Sequence, residues 1–367
     1  MRILWIPHTS WAFPTRSKTF CRQLSGRHEV HVINFGTFFG RREYMSPEYI
    51  KGIFYRRTND AGIIIHDVPQ ISPALFSRTL REWNRRIFCR YVNKVIRKEK
   101  IDAFVGCFLC PPPDCENIVL DICDDHASYW RVIRGNEEYA AEIDGVHEDY
   151  FERTNKVVCV GDVLRERIKH NAVSIPNGAD VELYQNATGE AIRSQYAGGR
   201  KVVSFVGNQD FPDELSLLMD ACEILDDPGI VYLVTGRGFA LDAAKKKARS
   251  RGLDNIIFTG FLPDEQIPEY YRASDASLYL RKPSYFWDAA CPQKIVEATA
   301  AGATVISTRI REVELWDFPN VIYTEPTPES LAENINAALA KPPVPNEKIN
   351  DFDIHNLTRR YEDLILS

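Results

Sequence analysis

No apolar run in these 367 residues approaches the roughly eighteen that a membrane-spanning helix needs. The opening Met1-Arg-Ile-Leu-Trp-Ile-Pro7 is too short for a secretory hydrophobic region and leads into Thr9, Ser10 and Thr15, not a small-residue cleavage site. A cytoplasmic protein is expected. A paired-cysteine metal site is lacking too. Cys107-Phe-Leu-Cys110, with Cys115 and Cys123 beyond it, is interrupted by Pro111-Pro-Pro113 and has no second CxxC. The cysteines number nine, an odd count, and Cys21, Cys89, Cys159 and Cys222 fall in apparent strands and helices, as reduced thiols do. There is no low-complexity segment and no short internal repeat. No recognised nucleic-acid module accompanies the basic residues, so nucleic acid is not an expected partner.

What is there is an ordinary globular composition, 44% hydrophobic and 26% charged, in a chain longer than one compact core usually serves. Two domains are expected. The net charge of −6 is unevenly placed, because residues 1–100 carry 19 Lys+Arg against 7 Asp+Glu and leave −18 for the remainder. The first part is therefore suited to meeting something anionic.

Short apolar runs at 2–6, 30–35, 63–65, 102–107, 117–121 and 156–160 alternate with helix-length segments, among them 137–152 and 161–169. Strands apolar on both faces indicate a parallel sheet covered on both sides. A long amphipathic segment places Phe76, Leu80, Trp83, Ile87, Phe88, Tyr91, Val95 and Ile96 on one stripe and a basic face opposite. After turn chemistry at Ile175-Pro-Asn-Gly-Ala-Asp180 the alternation resumes, with strands at 201–206, 230–234, 256–258, 276–280 and 303–307 and helices near 213–225, 239–252, 264–273 and 292–301.

The fold class is thus α/β, two doubly wound Rossmann-like domains facing a cleft. The boundaries expected are 1–178 plus the last helix, 351–367, and 179–350. That helix, with Ile354, Leu357, Tyr361, Leu364 and Ile365 on one stripe, is expected to return to the N-terminal domain. Ligands in such sheets bind beyond the carboxyl ends of the strands.

The most informative segment is Cys291-Pro-Gln-Lys-Ile-Val-Glu-Ala-Thr-Ala-Ala-Gly302. Pro292 suits a first helical position and Gly302 the stop, and the free N–H groups at this helix start would bind a diphosphate. Lys294 and Glu297 share a face, the lysine nearer the N-terminus. A nucleoside diphosphate requires that order, cation for phosphates and carboxylate for ribose hydroxyls. On spacing alone, a solvent-facing Lys–Glu pair is the better reading, and it is the segments that follow which overturn it.

The segments Val202–Asn208, 231–238, 255–261, 270–276 and Pro292–Gly302 together resemble the nucleotide-sugar domain of GT-B glycosyltransferases, specifically the retaining family 4, and 175–180 is similar to that family's interdomain junction. The resemblance implies that Glu297 is the second glutamate of the Glu-x7-Glu motif, contacting ribose. The first falls at Ala289, with Asp288 one residue out of register; the Pro-x-Lys-x-x-Glu form is similar to a subgroup with Lys294 near the phosphates. Gly207-Asn-Gln-Asp-Phe-Pro-Asp213 lacks the Arg and Lys that many members carry. Lys294, Arg237, Arg281 and Lys282 are the candidates to replace them. Pro292, Gln293, Gly207, Asn208 and Phe261 complete the implied donor site.

Leu120-Asp-Ile-Cys-Asp-Asp-His126 is similar to a variant of the family's active-site strand, which implies His126 near the transferred sugar, oriented by Asp125 and its neighbour. A structural histidine is the other reading. The loop His8–Ser17 stands where the family carries a glycine-rich turn but has no glycine; Ser10, Thr15 and Arg16 are its phosphate candidates, with a helix cap the alternative for Thr15.

The resemblance implies a hexosyltransferase-type enzyme acting with retention in polysaccharide or glycolipid synthesis. It would take a UDP- or GDP-linked sugar and a carbohydrate or lipid-linked acceptor, without metal or cofactor. A nucleotide-sugar epimerase and a non-catalytic nucleotide-binding partner of a transferase are the alternatives. The basic segment 78–100 is either a solvated face or a dock for anionic lipid.

Overall fold

The structure, a computed structural model, describes residues 1–11, 15–35, 54–69 and 78–367. Phe76, expected on the amphipathic stripe, lies outside them. The chain divides into two compact units, Met1–Pro176 with Ile354–Ser367, and Asn177–Asp353.

The first unit is built on strands β1 (Arg2–Trp5), β2 (Glu29–Phe35), β3 (Arg56–Asp60), β4 (Ile63–Val68), β5 (Ala103–Gly106), β6 (Ile118–Ile122), β7 (Val157–Cys159) and β8 (Val173–Ser174), in the order β3-β4-β2-β1-β5-β6-β7-β8. Its main helices are α1 (Arg16–Leu24), α2 (Arg78–Glu99) and α3 (Glu137–Phe151). Every described pairing is parallel except β3 with β4, a correction to the all-parallel expectation. β3 reads Arg-Arg-Thr-Asn-Asp, with no apolar alternation to announce it, and its exposed side chains suit an edge strand. The hairpin turns at Ala61-Gly62, both with positive φ (51° and 89°), as a tight turn matching the strand twist requires.

The last helix, Ile354–Leu366, belongs to this unit and buries Ile354, Leu357, Tyr361 and Ile365. The Tyr361 ring lies 5.0 Å from that of Trp5 and 5.1 Å from that of Phe20. Each aliphatic side chain so buried stabilises by about 1.5–3 kcal/mol. In α2 the buried side is Asn84, Phe88, Val92, Val95 and Ile96. Trp83, expected on the apolar stripe, is instead 52% exposed among the arginines.

The second unit contains β9 (Lys201–Val206), β10 (Ile230–Thr235), β11 (Ile256–Gly260), β12 (Ala276–Tyr279), β13 (Thr304–Thr308) and β14 (Val321–Thr324), parallel throughout in the order β11-β10-β9-β12-β13-β14. Helices α4 (Pro212–Leu225), α5 (Leu241–Ser250), α6 (Gln293–Ala300) and α7 (Pro328–Leu339) cover it, with short helices such as Val181–Asn186 and Ile267–Arg272 between. The order reverses between β9 and β12. The carboxyl ends of those two strands are the topological switch point, where such sheets take ligands.

Candidate active site

Gly207 follows β9 directly at this switch point, and Arg281 stands two residues beyond the end of β12. The loop after β9 is held against the loop after β10 by backbone bonds, Gln209 N–H to Arg237 O (2.9 Å) and Ala240 N–H to Gln209 O (3.2 Å). The buried Gln209 amide also donates to Thr235 O at 3.0 Å. A rigid floor results.

Helix α6 begins beside this floor. Pro292 occupies the cap position (φ −73°, ψ 104°), one place earlier than expected, and Gln293 is the first helical residue. Asn177 fixes this start, because its Nδ2 donates to Cys291 O at 2.6 Å and its backbone N–H lies 3.2 Å from Cys291 Sγ. Asn177 lies in the junction segment 175–180, and nothing in the sequence signals its anchoring role.

Lys294 and Glu297 share the polar face of α6, both half-buried. The lysine arm lies across Gly207: a Cβ built on Gly207 would stand 1.8 Å from Lys294 Cε and 2.8 Å from its Nζ. Glu297 Oε1 accepts from Gln293 Nε2 at 2.9 Å, and the Tyr184 hydroxyl is a neighbour of this carboxyl. The buried Tyr271 hydroxyl is a further neighbour, without a hydrogen bond of normal geometry. Burial pushes Glu297 up to about 7, against the opposing pull of Lys294, then of Tyr184 and Gln293. Burial, then Arg281, lowers Lys294, with Glu297 and Glu214 opposing.

Among the expected cations, Arg281 is not available. It is buried in an ion pair with Glu214 of α4, its guanidinium 4.0 Å from the Phe211 ring centroid and 4.9 Å from that of Trp287. A buried guanidinium needs a counter-charge, and this chain supplies its own. Arg237 is exposed and stacks on Phe261 at 4.9 Å. Asn208 and Lys282 are exposed, and Asp288 Oδ1 accepts from the Arg311 backbone N–H at 3.4 Å.

In the first unit, His126 follows β6 and packs on Phe108 (4.3 Å between centroids) and His8 (5.8 Å). The orienting group is the Asp124 backbone carbonyl, 3.1 Å from His126 Nδ1, not a carboxylate. Since a carbonyl only accepts, Nδ1 carries the proton and Nε2 presents a lone pair. Burial, then His8, lowers His126 to about 3, so the ring is neutral. Asp125 is taken up structurally, accepting from Ser128 N–H (3.1 Å) and pairing with Arg167 (3.1 Å). Asp124, not singled out from sequence as a titrating group, is pushed to about 7 by burial and then Asp125.

Arg16 is buried and paired with Asp121 at 3.3 Å, and it donates to Pro176 O at 2.9 Å, which withdraws it from the phosphate role expected of it. Ser10 is buried 3.5 Å from Asn34 Oδ1, and Thr15 takes the cap position of α1 without a side-chain bond. All nine cysteines are free thiols, and no metal-holding group of three or more His, Cys, Asp or Glu occurs among the described residues.

Residues 190–352 match the family Glycosyl transferases group 1. The colanic acid biosynthesis glycosyl transferase WcaI, as it is named, of Escherichia coli K12 is 26% identical over 183 residues, 47% of this chain and 45% of that protein. The chain thus spans about half the length of the curated relatives it matches. Among solved structures, sucrose-phosphate synthase from Thermosynechococcus elongatus superposes with a TM-score of 0.69 at 13% identity, covering 100% of this chain and 96% of that one. Anabaena HepE in complex with UDP and glucose gives 0.69 at 14%, covering 100% of each. At these identities the likeness establishes the fold, which is that of the GT-B glycosyltransferases, with two Rossmann-like domains.

Proposed function

We propose that this chain, whose second unit carries the group 1 glycosyl transferase match, transfers a hexosyl group from a nucleoside-diphosphate sugar to a carbohydrate or lipid-linked acceptor in polysaccharide or glycolipid synthesis. The observation that carries this reading is the placement of Lys294 and Glu297 on one face of α6, with the lysine arm over Gly207 at the β9/β12 switch point. The helix N-terminus and the ammonium suit a pyrophosphate; a carboxylate one turn on suits the ribose hydroxyls. The HepE complex with UDP and glucose supports the same ligand class.

Transfer proceeds with retention. The bond between anomeric carbon and diphosphate breaks, the acceptor oxygen bonds that carbon on the same face, and its proton passes to the departing phosphate oxygen. Charge grows on the diphosphate, and Lys294 with the α6 dipole stabilises it, so no divalent metal is needed. Neutral His126, with its Nε2 lone pair exposed by the Asp124 contact, accepts a hydroxyl of the transferred sugar. The stripe Trp83, Arg86, Arg90, Lys94 and Arg97, exposed along one side of α2, suits docking on anionic lipid at the inner membrane face.

The test is a thermal-shift screen of nucleotide sugars, then nucleotide release measured with and without acceptor, in EDTA and in manganese. Acceptor-dependent release that survives EDTA is expected. Donor turnover without acceptor makes the protein an epimerase, and binding without turnover makes it a non-catalytic partner.

A further inference from the structure

Resting on that reading of the donor site, we infer that Gly207 is a positioning residue for Lys294: the absence of a side chain at 207 is what lets the lysine arm cross the end of β9 and present its ammonium at the switch point. Three atoms of the lysine, Cδ, Cε and Nζ, fall 2.9, 1.8 and 2.8 Å from the place a Cβ would take. No real pair of atoms tolerates such distances, so a methyl group and the arm in its present course exclude one another.

The arm feels the charges of Arg281, Glu297 and Glu214 around it, the last two attracting its ammonium and the first repelling it. A lysine pushed off Gly207 swings outward at little steric cost, since it is a flexible chain. The cost then appears as lost alignment of its charge with a diphosphate. The glycine also has φ +132°, a conformation that strains any other residue, so substitution there perturbs the backbone as well. These two roles are separable, because only the first depends on Lys294.

A double-mutant cycle on the full chain separates them. Binding of UDP and of GDP is measured by calorimetry for wild type, Gly207→Ala, Lys294→Ala and the double variant. Expected is a loss of about tenfold or more for Gly207→Ala in the wild-type background, as for a weakened charge-assisted hydrogen bond, and less than about twofold once Lys294 is already alanine. An equal loss in both backgrounds, or none in wild type, overturns the inference while leaving the donor-site reading intact. Failure of the wild type to bind either nucleotide removes the donor-site reading itself. Should Gly207→Ala not fold, the double variant decides: recovered folding shows that arm and methyl compete for one space, and a double variant that also fails assigns the glycine to backbone conformation alone.

Discussion

Arg281 and Glu214 form a buried ion pair whose guanidinium lies over the rings of both Phe211 and Trp287, at the place where the sequence suggested a free phosphate-binding cation. Each side chain is 8% exposed. Removing one charge from such a pair strands the other, at a cost of about 3–5 kcal/mol. Glu214→Ala is therefore expected to lower unfolding free energy by that order in urea titrations. Replacing both residues together, Glu214→Leu with Arg281→Met, should cost far less. A single variant as stable as wild type would show that the guanidinium finds water or another partner.

The Glu297 carboxyl, at about 7 in the folded chain against an ordinary 4.5, binds its proton more tightly folded than unfolded. The stability this gives is fully present below the unfolded value and is lost as pH rises through about 7. Glu297→Gln, neutral at every pH, escapes that loss. Relative to wild type it should gain on the order of 2 kcal/mol between pH 5 and pH 8, read by urea denaturation at both, while its affinity for UDP falls. A difference independent of pH would show that the wild-type carboxylate is already comfortable when ionised.

Much of the framework was legible because parallel strands buried on both faces are continuous apolar runs. Val202, Val203 and Phe205 of β9 or Val231, Leu233 and Val234 of β10 leave little choice. β3 was not legible, since an edge strand of arginine, threonine, asparagine and aspartate carries no periodic signal. Trp83 was misplaced for a related reason: an aromatic ring scores as core wherever it falls, although helical spacing from Phe88 and Val92 sets it on the opposite side. At the site, spacing alone indicated that Lys294 and Glu297 share a face. It could not indicate that Arg16 and Arg281 are neutralised by Asp121 and Glu214, residues 105 and 67 positions away in sequence, because such partners meet only through the sheet.

His126 provides a sharper spectroscopic test than any deletion. With Nδ1 donating to the Asp124 carbonyl and burial lowering the ring to about 3, it should remain neutral in the Nδ1–H form throughout pH 5–8. Nitrogen-15 shifts of the imidazole ring distinguish the tautomers. A ring titrating near the ordinary value of 6.5, or protonated at Nε2, would remove the proposed lone pair from the sugar.

The basic face of α2 predicts behaviour that depends on salt. Arg86, Arg90, Lys94 and Arg97 are exposed at helical spacing beside Trp83, whereas Arg85 is half-buried and Arg81 is engaged by Glu142 at 3.0 Å. Reversal is therefore aimed at the exposed set. Each basic group near an anionic surface contributes about 1 kcal/mol, and the attraction fades within a Debye length of about 10 Å at 0.1 M salt. Arg86→Glu with Arg90→Glu should abolish sedimentation with phosphatidylserine-containing vesicles at low ionic strength. Trp83→Ala should weaken the binding that persists at higher salt. Because these side chains point away from the core, both variants should keep wild-type melting temperatures and wild-type UDP binding. Vesicle binding unchanged in Arg86→Glu/Arg90→Glu would leave α2 a solvated face.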